Sequence, residues 1–83
     1  MKIAIGCDHA AYNVKEDINH FISSLGHKVI DYGAFSEESV DYPLYGHKVG
    51  ISVRDNIVDM GIVICGSGIG VSIAANKITG IRA

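Results

Sequence analysis

What this 83-residue chain has little of narrows its chemistry first. No apolar run approaches the roughly 20 residues that span a bilayer, and the start, Met1 to Gly6, has too short an apolar stretch for a signal peptide. A cytoplasmic protein is the expectation, with no membrane partner. Basic residues number 7 against 9 acidic ones, a formal charge of -2, and nowhere do Lys and Arg cluster. That balance argues against nucleic acid and anionic lipid as partners. There are only two cysteines, Cys7 and Cys65, and they form neither a C-x-x-C pair nor a disulfide framework. Reduced thiols are the expectation, and a thiol redox protein using both ranks lowest among the functional readings. No set of His, Cys, Asp and Glu has metal-ligand spacing. The dinucleotide fingerprint G-x-G-x-x-G fails because Val71 stands where its third glycine belongs, and no Gly-Lys-Ser/Thr follows to make a Walker A loop.

What remains is a mixed, well-patterned chain. Apolar residues make up 48% of it, enough for a core, and the length allows one domain of a size that buries only about 60% of its unfolded surface. Lys2 to Cys7 reads as a first strand, and Gly6-Cys7-Asp8-His9 as the turn leaving it. Ala11, Val14, Ile18, Phe21, Ile22 and Leu25 recur at helical spacing and predict one buried face of a helix over 10–25, stopped by Gly26. His27 to Tyr32 is the second strand, and Gly33 to Asp41 is a long polar connection. Asp41-Tyr42-Pro43 opens a second helix, with Leu44, Val49, Val53 and Ile57 inward and Gly46 and Gly50 positioned to allow close packing. Met60 to Ile64 predicts a buried parallel strand. A third helix to about Ile78, a stop at Gly80, and the onset of a fourth strand at Ile81-Arg82-Ala83 complete the pattern. Strands alternating with helices imply a parallel sheet covered on both faces by right-handed crossovers.

Chemistry concentrates where the third strand ends. Cys65 is followed by glycine at 66, 68 and 70, and a helix begins near 69–71. Glycines at every second position let backbone N-H groups approach a ligand, and a helix start adds unpaired donors and positive dipole. The loop is suited to an anion, and the same field favours the thiolate of Cys65. The plainer readings are a tight turn for the glycines and a small packed residue for the cysteine. Asp8 reads first as a helix cap, and His9 beside it strengthens the alternative of a substrate contact. Cys7 reads as packing. His20, His27 and His47, and the adjacent carboxylates Glu16-Asp17 and Glu37-Glu38, read as surface. Both loops fall at the carboxyl edge of the sheet, where open parallel sheets bind ligands.

Gly6-Cys7-Asp8-His9-Ala10, Asp41-Tyr42-Pro43, and Cys65-Gly66-Ser67-Gly68-Ile69-Gly70 running into Ser72-Ile73-Ala74-Ala75-Asn76-Lys77 together resemble the type B ribose-5-phosphate isomerase family, which includes galactose-6-phosphate isomerase subunits. The resemblance covers essentially the whole chain. It implies a Rossmann-like three-layer α/β/α fold whose first strand neighbours the second and third. The activity it implies is interconversion of ribose 5-phosphate and ribulose 5-phosphate through an enediolate, by a homodimer without metal or organic cofactor. Carried over by position, Cys65 matches the base that moves a proton between C2 and C1. Ser67, often threonine in the family, joins it as a catalytic candidate. Gly66, Ser67, Gly68, Ile69 and Gly70 match the anion hole, and Asp8, His9 and Tyr42 match sugar contacts.

Family chains continue through further strands and a C-terminal helix. Those segments carry a ring-opening histidine and phosphate-holding arginines that have no counterpart in these 83 residues. The expectation is therefore a single, partial domain over 1–83, read either as the isomerase or as a non-catalytic phosphosugar-binding or dimerising half-domain.

Overall fold

The computed structural model describes residues 1–33, 42–66 and 69–83. The expectations placed on the 34–41 connection, on Ser67 and Gly68, and on the Tyr42 and Leu44 side chains lie outside the described residues. Three strands, β1 (Lys2–Cys7), β2 (Lys28–Asp31) and β3 (Met60–Ile64), form a parallel sheet in the order β2-β1-β3. They alternate with α1 (Tyr12–Ser24), α2 (Tyr42–Arg54) and α3 (Ile69–Asn76). This is the Rossmann-like arrangement expected, with β1 at the centre.

Strand register sorts side chains onto two faces, because neighbours in a parallel ladder point the same way. Ile3, Ile5 and Cys7 pair with Met60, Ile62 and Ile64, and Ile5 also with Asp31. Asp31 is bonded by Lys15 of α1, so this is the α1 face. Ala4 and Gly6 lie on the other face beside Gly61 and Val63. There Ala4 packs with Val49 of α2 and Val58. A Cβ at Gly61 would stand 2.5 Å from Val49 Cγ1, so the missing side chain lets α2 lie close on the sheet. Gly50 does the same between α2 and α3, where a Cβ would stand 2.6 Å from Ile78 Cδ1.

Two helices end in the same cap. Gly26 (φ 92°) donates to the Ser23 carbonyl while His27 donates to that of Ile22. Asn56 (φ 58°) donates to Val53 while Ile57 donates to Ser52. Each is a Schellman motif with its left-handed residue just past the helix.

Four expectations need correction. Val14, Phe21 and Leu25 are exposed (52%, 63% and 59%), and the buried residues of α1 are Lys15 and Ile22. The apolar residues of this helix spread over more than one face, and the sheet covers only the stripe running through Lys15. Ile57 is exposed and Val58 buried, because the left-handed turn at Asn56 resets the helical phase. β3 is an edge strand, with Met60 46% exposed, and not a buried one. Residues 81–83 do not form a strand: Ile81 N-H turns back to the Ile78 carbonyl, and the Asn76 side chain bonds both N-H and C=O of Ala83.

Candidate active site

The carboxyl ends of β1 and β3 meet through backbone. Asp8 N-H donates to the Ile64 carbonyl at 3.1 Å, directly joining the segment after β1 to the residue before Cys65. Asp8 itself has extended backbone, and its Oδ1 accepts from Ala11 N-H at 3.0 Å, capping the 3-10 turn His9–Ala11 that leads into α1. The capping role anticipated for Asp8 is therefore present. One carboxylate oxygen is occupied by it, which orients the side chain.

Cys7 is fully buried against Ala11, with Tyr45 and Ile64 packed around the pair, as its packing role predicts. Its N-H donates to the Gly33 carbonyl at 2.6 Å, which ties the end of β2 to the same edge of the sheet. His9 is half-buried, and its Nδ1 is sealed from solvent with no hydrogen-bond partner among the described residues. A buried imidazole nitrogen left so is costly unless something polar comes to it.

Cys65 follows β3 directly and is half-buried. Gly66 is exposed, and a Cβ there would meet nothing within 4 Å, so the approach to its backbone is open. α3 begins at Ile69, within the range anticipated, with Gly70 in its first turn and Ser72 Oγ donating to the Ile69 carbonyl at 2.9 Å. The helix thus begins three residues after Gly66. Asp8, His9, Cys65, Gly66 and the start of α3 are brought to one edge. Tyr42 is placed only as the first residue of α2.

Sequence reasoning passed over one polar centre. Lys15, fully buried, donates from Nζ to Asp31 Oδ2 and pairs with Glu16, both at 2.8 Å, and lies 5.2 Å from the Tyr12 ring centre. Burial disfavours its ammonium, but the hydrogen bonds to Asp31 and Glu16 outweigh that and hold its pKa above the ordinary value. Asp31 Oδ1 accepts from Gly33 N-H at 2.9 Å, so the ion pair fixes the residue whose carbonyl holds Cys7. An acid directly after the apolar pair Val29-Ile30 was the available signal. Glu16, read as surface, stays 37% exposed while pairing with Lys15, and the His27 ring nitrogen Nδ1 lies 3.0 Å from the N-terminal amine in an exposed contact. Among the described residues no three His, Cys, Asp or Glu side chains gather as a metal would need. No described helix is long and apolar enough to cross a membrane.

Comparison with known proteins agrees with this geometry. The chain is 50% identical over 82 residues to ribose-5-phosphate isomerase B of Escherichia coli, covering 99% of this chain and 55% of that protein. It is 41% identical over 83 residues to galactose-6-phosphate isomerase subunit LacB of Clostridium acetobutylicum, covering 100% of this chain and 48% of that protein. Among solved structures, ribose-5-phosphate isomerase B of Clostridium thermocellum superposes with a TM-score of 0.97 at 55% identity, over 99% of this chain and 55% of that one. The chain thus spans about half the length of the curated relatives it matches. With residues 3–83 also matched by the model of the ribose/galactose isomerases, the joined β1 and β3 edges belong to a member of that family.

Proposed function

We propose that this chain carries the proton-transfer part of an aldose-ketose isomerase that interconverts ribose 5-phosphate and ribulose 5-phosphate. The observation that supports the reading is the Asp8 N-H to Ile64 carbonyl bond, which joins the segment after β1 to the residue before Cys65. In this reading the Cys65 thiolate takes the proton from sugar C2. The C-H electron pair forms the C1-C2 double bond, and the carbonyl electrons move onto the C1 oxygen. Moving the C2 hydroxyl proton to that oxygen and returning the carbon-bound proton to C1 gives the ketose. Backbone N-H groups of residues 66 to 70 stabilise the oxyanion, each such donor contributing on the order of 3 kcal/mol. Ser67 assists Cys65, while Asp8, His9 and Tyr42 hold the sugar hydroxyls. The scheme uses no cofactor. It implies a homodimer in the cytoplasm, with residues 1–83 as one partial domain; the exposed Val14, Phe21 and Leu25 offer apolar surface for self-association, which light scattering tests.

Because the chain spans about half the length of its relatives, the second reading is a phosphosugar-binding or dimerising fragment without turnover. The similarity to a LacB subunit keeps galactose 6-phosphate as an alternative substrate. NMR of ribose 5-phosphate in heavy water separates these. Deuterium should enter at C2 with the unaltered chain, and Cys65→Ala should lower the rate at least about a hundredfold, the low end for loss of a general base. Undiminished exchange in Cys65→Ala overturns the assignment of the base. Sugar binding without exchange in either chain selects the fragment.

A further inference from the structure

Lys15 has no exposed surface, although an apolar pair of similar volume usually stabilises a core as well as a buried ion pair does. What an ion pair adds is direction. Asp31 uses both carboxylate oxygens: Oδ2 accepts from Lys15 Nζ at 2.8 Å, and Oδ1 accepts from Gly33 N-H at 2.9 Å. With the first oxygen held, the second is aimed. Gly33, at φ 104°, accepts at its carbonyl from Cys7 N-H at 2.6 Å, and Cys7 is followed directly by Asp8, whose own N-H donates to Ile64. These bonds close a ring. From Cys7 the chain runs through Asp8, the turn His9–Ala11 and the start of α1 to Lys15, and the route through Asp31 and Gly33 returns from there to Cys7. Asp8 and His9 lie on this ring, and Ala11 packs on Cys7 within it.

We propose that Lys15 and Asp31 are positioning residues for the Asp8–His9 turn: their ion pair, acting through Gly33 and Cys7, holds the segment that presents Asp8 and His9 to the sugar. Neither member of the pair touches the sugar. The consequence for affinity rests on the reading of Asp8 and His9 as sugar contacts, whereas the consequence for the turn does not. Cys65 is carried by β3, on the other side of β1 from Asp31. Losing the pair therefore weakens the hold on the sugar more than it slows proton transfer. A pair that only stabilised the fold would, when lost, loosen β1 and the turn together.

The test uses three variants of the 83-residue chain. Lys15→Met/Asp31→Leu replaces both charges at once, so that neither is left stranded. Gly33→Ala loosens the same link without touching a charge, because φ 104° strains a residue that has a Cβ, and it decides the matter if the double variant does not fold. Val58→Ala, in the core cluster with Ala4 and Val49, lowers stability away from the turn and serves as the comparison. Amide hydrogen exchange is read at Cys7 and Asp8, with Ile3 in the same strand as reference. In the first two variants Cys7 and Asp8 should speed at least about tenfold more than Ile3, and in Val58→Ala all three should speed together. NMR titration with ribose 5-phosphate should give a dissociation constant raised about tenfold in the first two variants, while the deuterium incorporation rate at saturating sugar falls by less than about threefold. Two outcomes overturn the proposal. One is exchange at Cys7 and Asp8 that keeps step with Ile3 in the first two variants, the mark of a pair that only stabilises. The other is selective opening of the turn with the dissociation constant unchanged, or with the saturating rate reduced more than the affinity. Exchange at these amides needs no sugar, so an unaltered chain without turnover fails the isomerase reading while the amides still decide whether the pair holds the turn.

Discussion

On the α2 face of the sheet the strands present Ala4, Gly6 and Gly61, and the helix answers with Val49 and Val53. The α1 face carries Ile3, Ile5 and Cys7, and over it lies a fully buried lysine bonded to the acid at the end of β2. The first face is closed by removing side-chain volume so that two stiff valines can come near. The second is closed by a charge pair that would be costly if either member were left alone. The difference teaches what each tolerates. Added atoms should damage the α2 face, and a removed charge should damage the α1 face.

The largest effect is expected from Gly61→Ala. The new methyl would stand 2.5 Å from Val49 Cγ1 and 3.2 Å from Val53 Cγ2, and β-branched side chains in a helix have little rotamer freedom with which to yield. A loss of about 2–3 kcal/mol in chemical denaturation is expected, the upper part of the range for overpacking. Adding Val49→Ala should recover part of it, since two changes in direct contact couple. A Gly61→Ala chain as stable as the original would show that the two layers are not in close contact there.

Lys15→Met tests the other face. It keeps the apolar stem and strands the Asp31 carboxylate, whose remaining partners among the described residues are the Gly33 N-H and a 3.5 Å contact from Asn19. A loss of about 2 kcal/mol is expected, below the value for a fully enclosed pair because Asp31 is 21% exposed. The same pair has a pH signature. A lysine whose folded pKa is raised contributes its stability in full below the ordinary 10.5 and loses it as pH rises through the higher folded value. Stability of the unaltered chain minus that of Lys15→Met should therefore hold steady at neutral pH and shrink in that alkaline range. A difference that grew there would reverse the assignment of the pair as stabilising.

These two faces also show what a sequence discloses. The order of strands and helices was legible from apolar patterning, and the Gly26 stop from a residue type with a narrow backbone use. The buried stripe of α1 was not. Periodicity finds Val14, Ile18, Phe21 and Leu25 as readily as it finds Ile22, and nothing in it counts a lysine as core. Lys15 is buried only because an acid 16 residues later lies across from it. Similarly, β3 has the composition of a central strand, and its place at the edge follows from the strand order. At the candidate site, Cys65 and Asp8 were legible as residues, whereas the 3.1 Å bond that joins their segments depends on β1 and β3 being neighbours.

Gly50→Ala sharpens the comparison at its weak end. The methyl would stand 2.6 Å from Ile78 Cδ1, closer than at Gly6, yet that atom is the mobile tip of an isoleucine, and the nearest backbone is 3.6 Å away. The tip can rotate aside at modest cost, and replacing glycine by alanine inside α2 returns about 1 kcal/mol of helix propensity. The net change should lie within about 0.5 kcal/mol of zero, against a loss of 2–3 kcal/mol at Gly61 for the same added atom. Distance alone would rank the two sites as equals. What separates them is whether the neighbouring atom belongs to a side chain that can move, and equal losses in the two variants would mean that Ile78 is held as firmly as Val49.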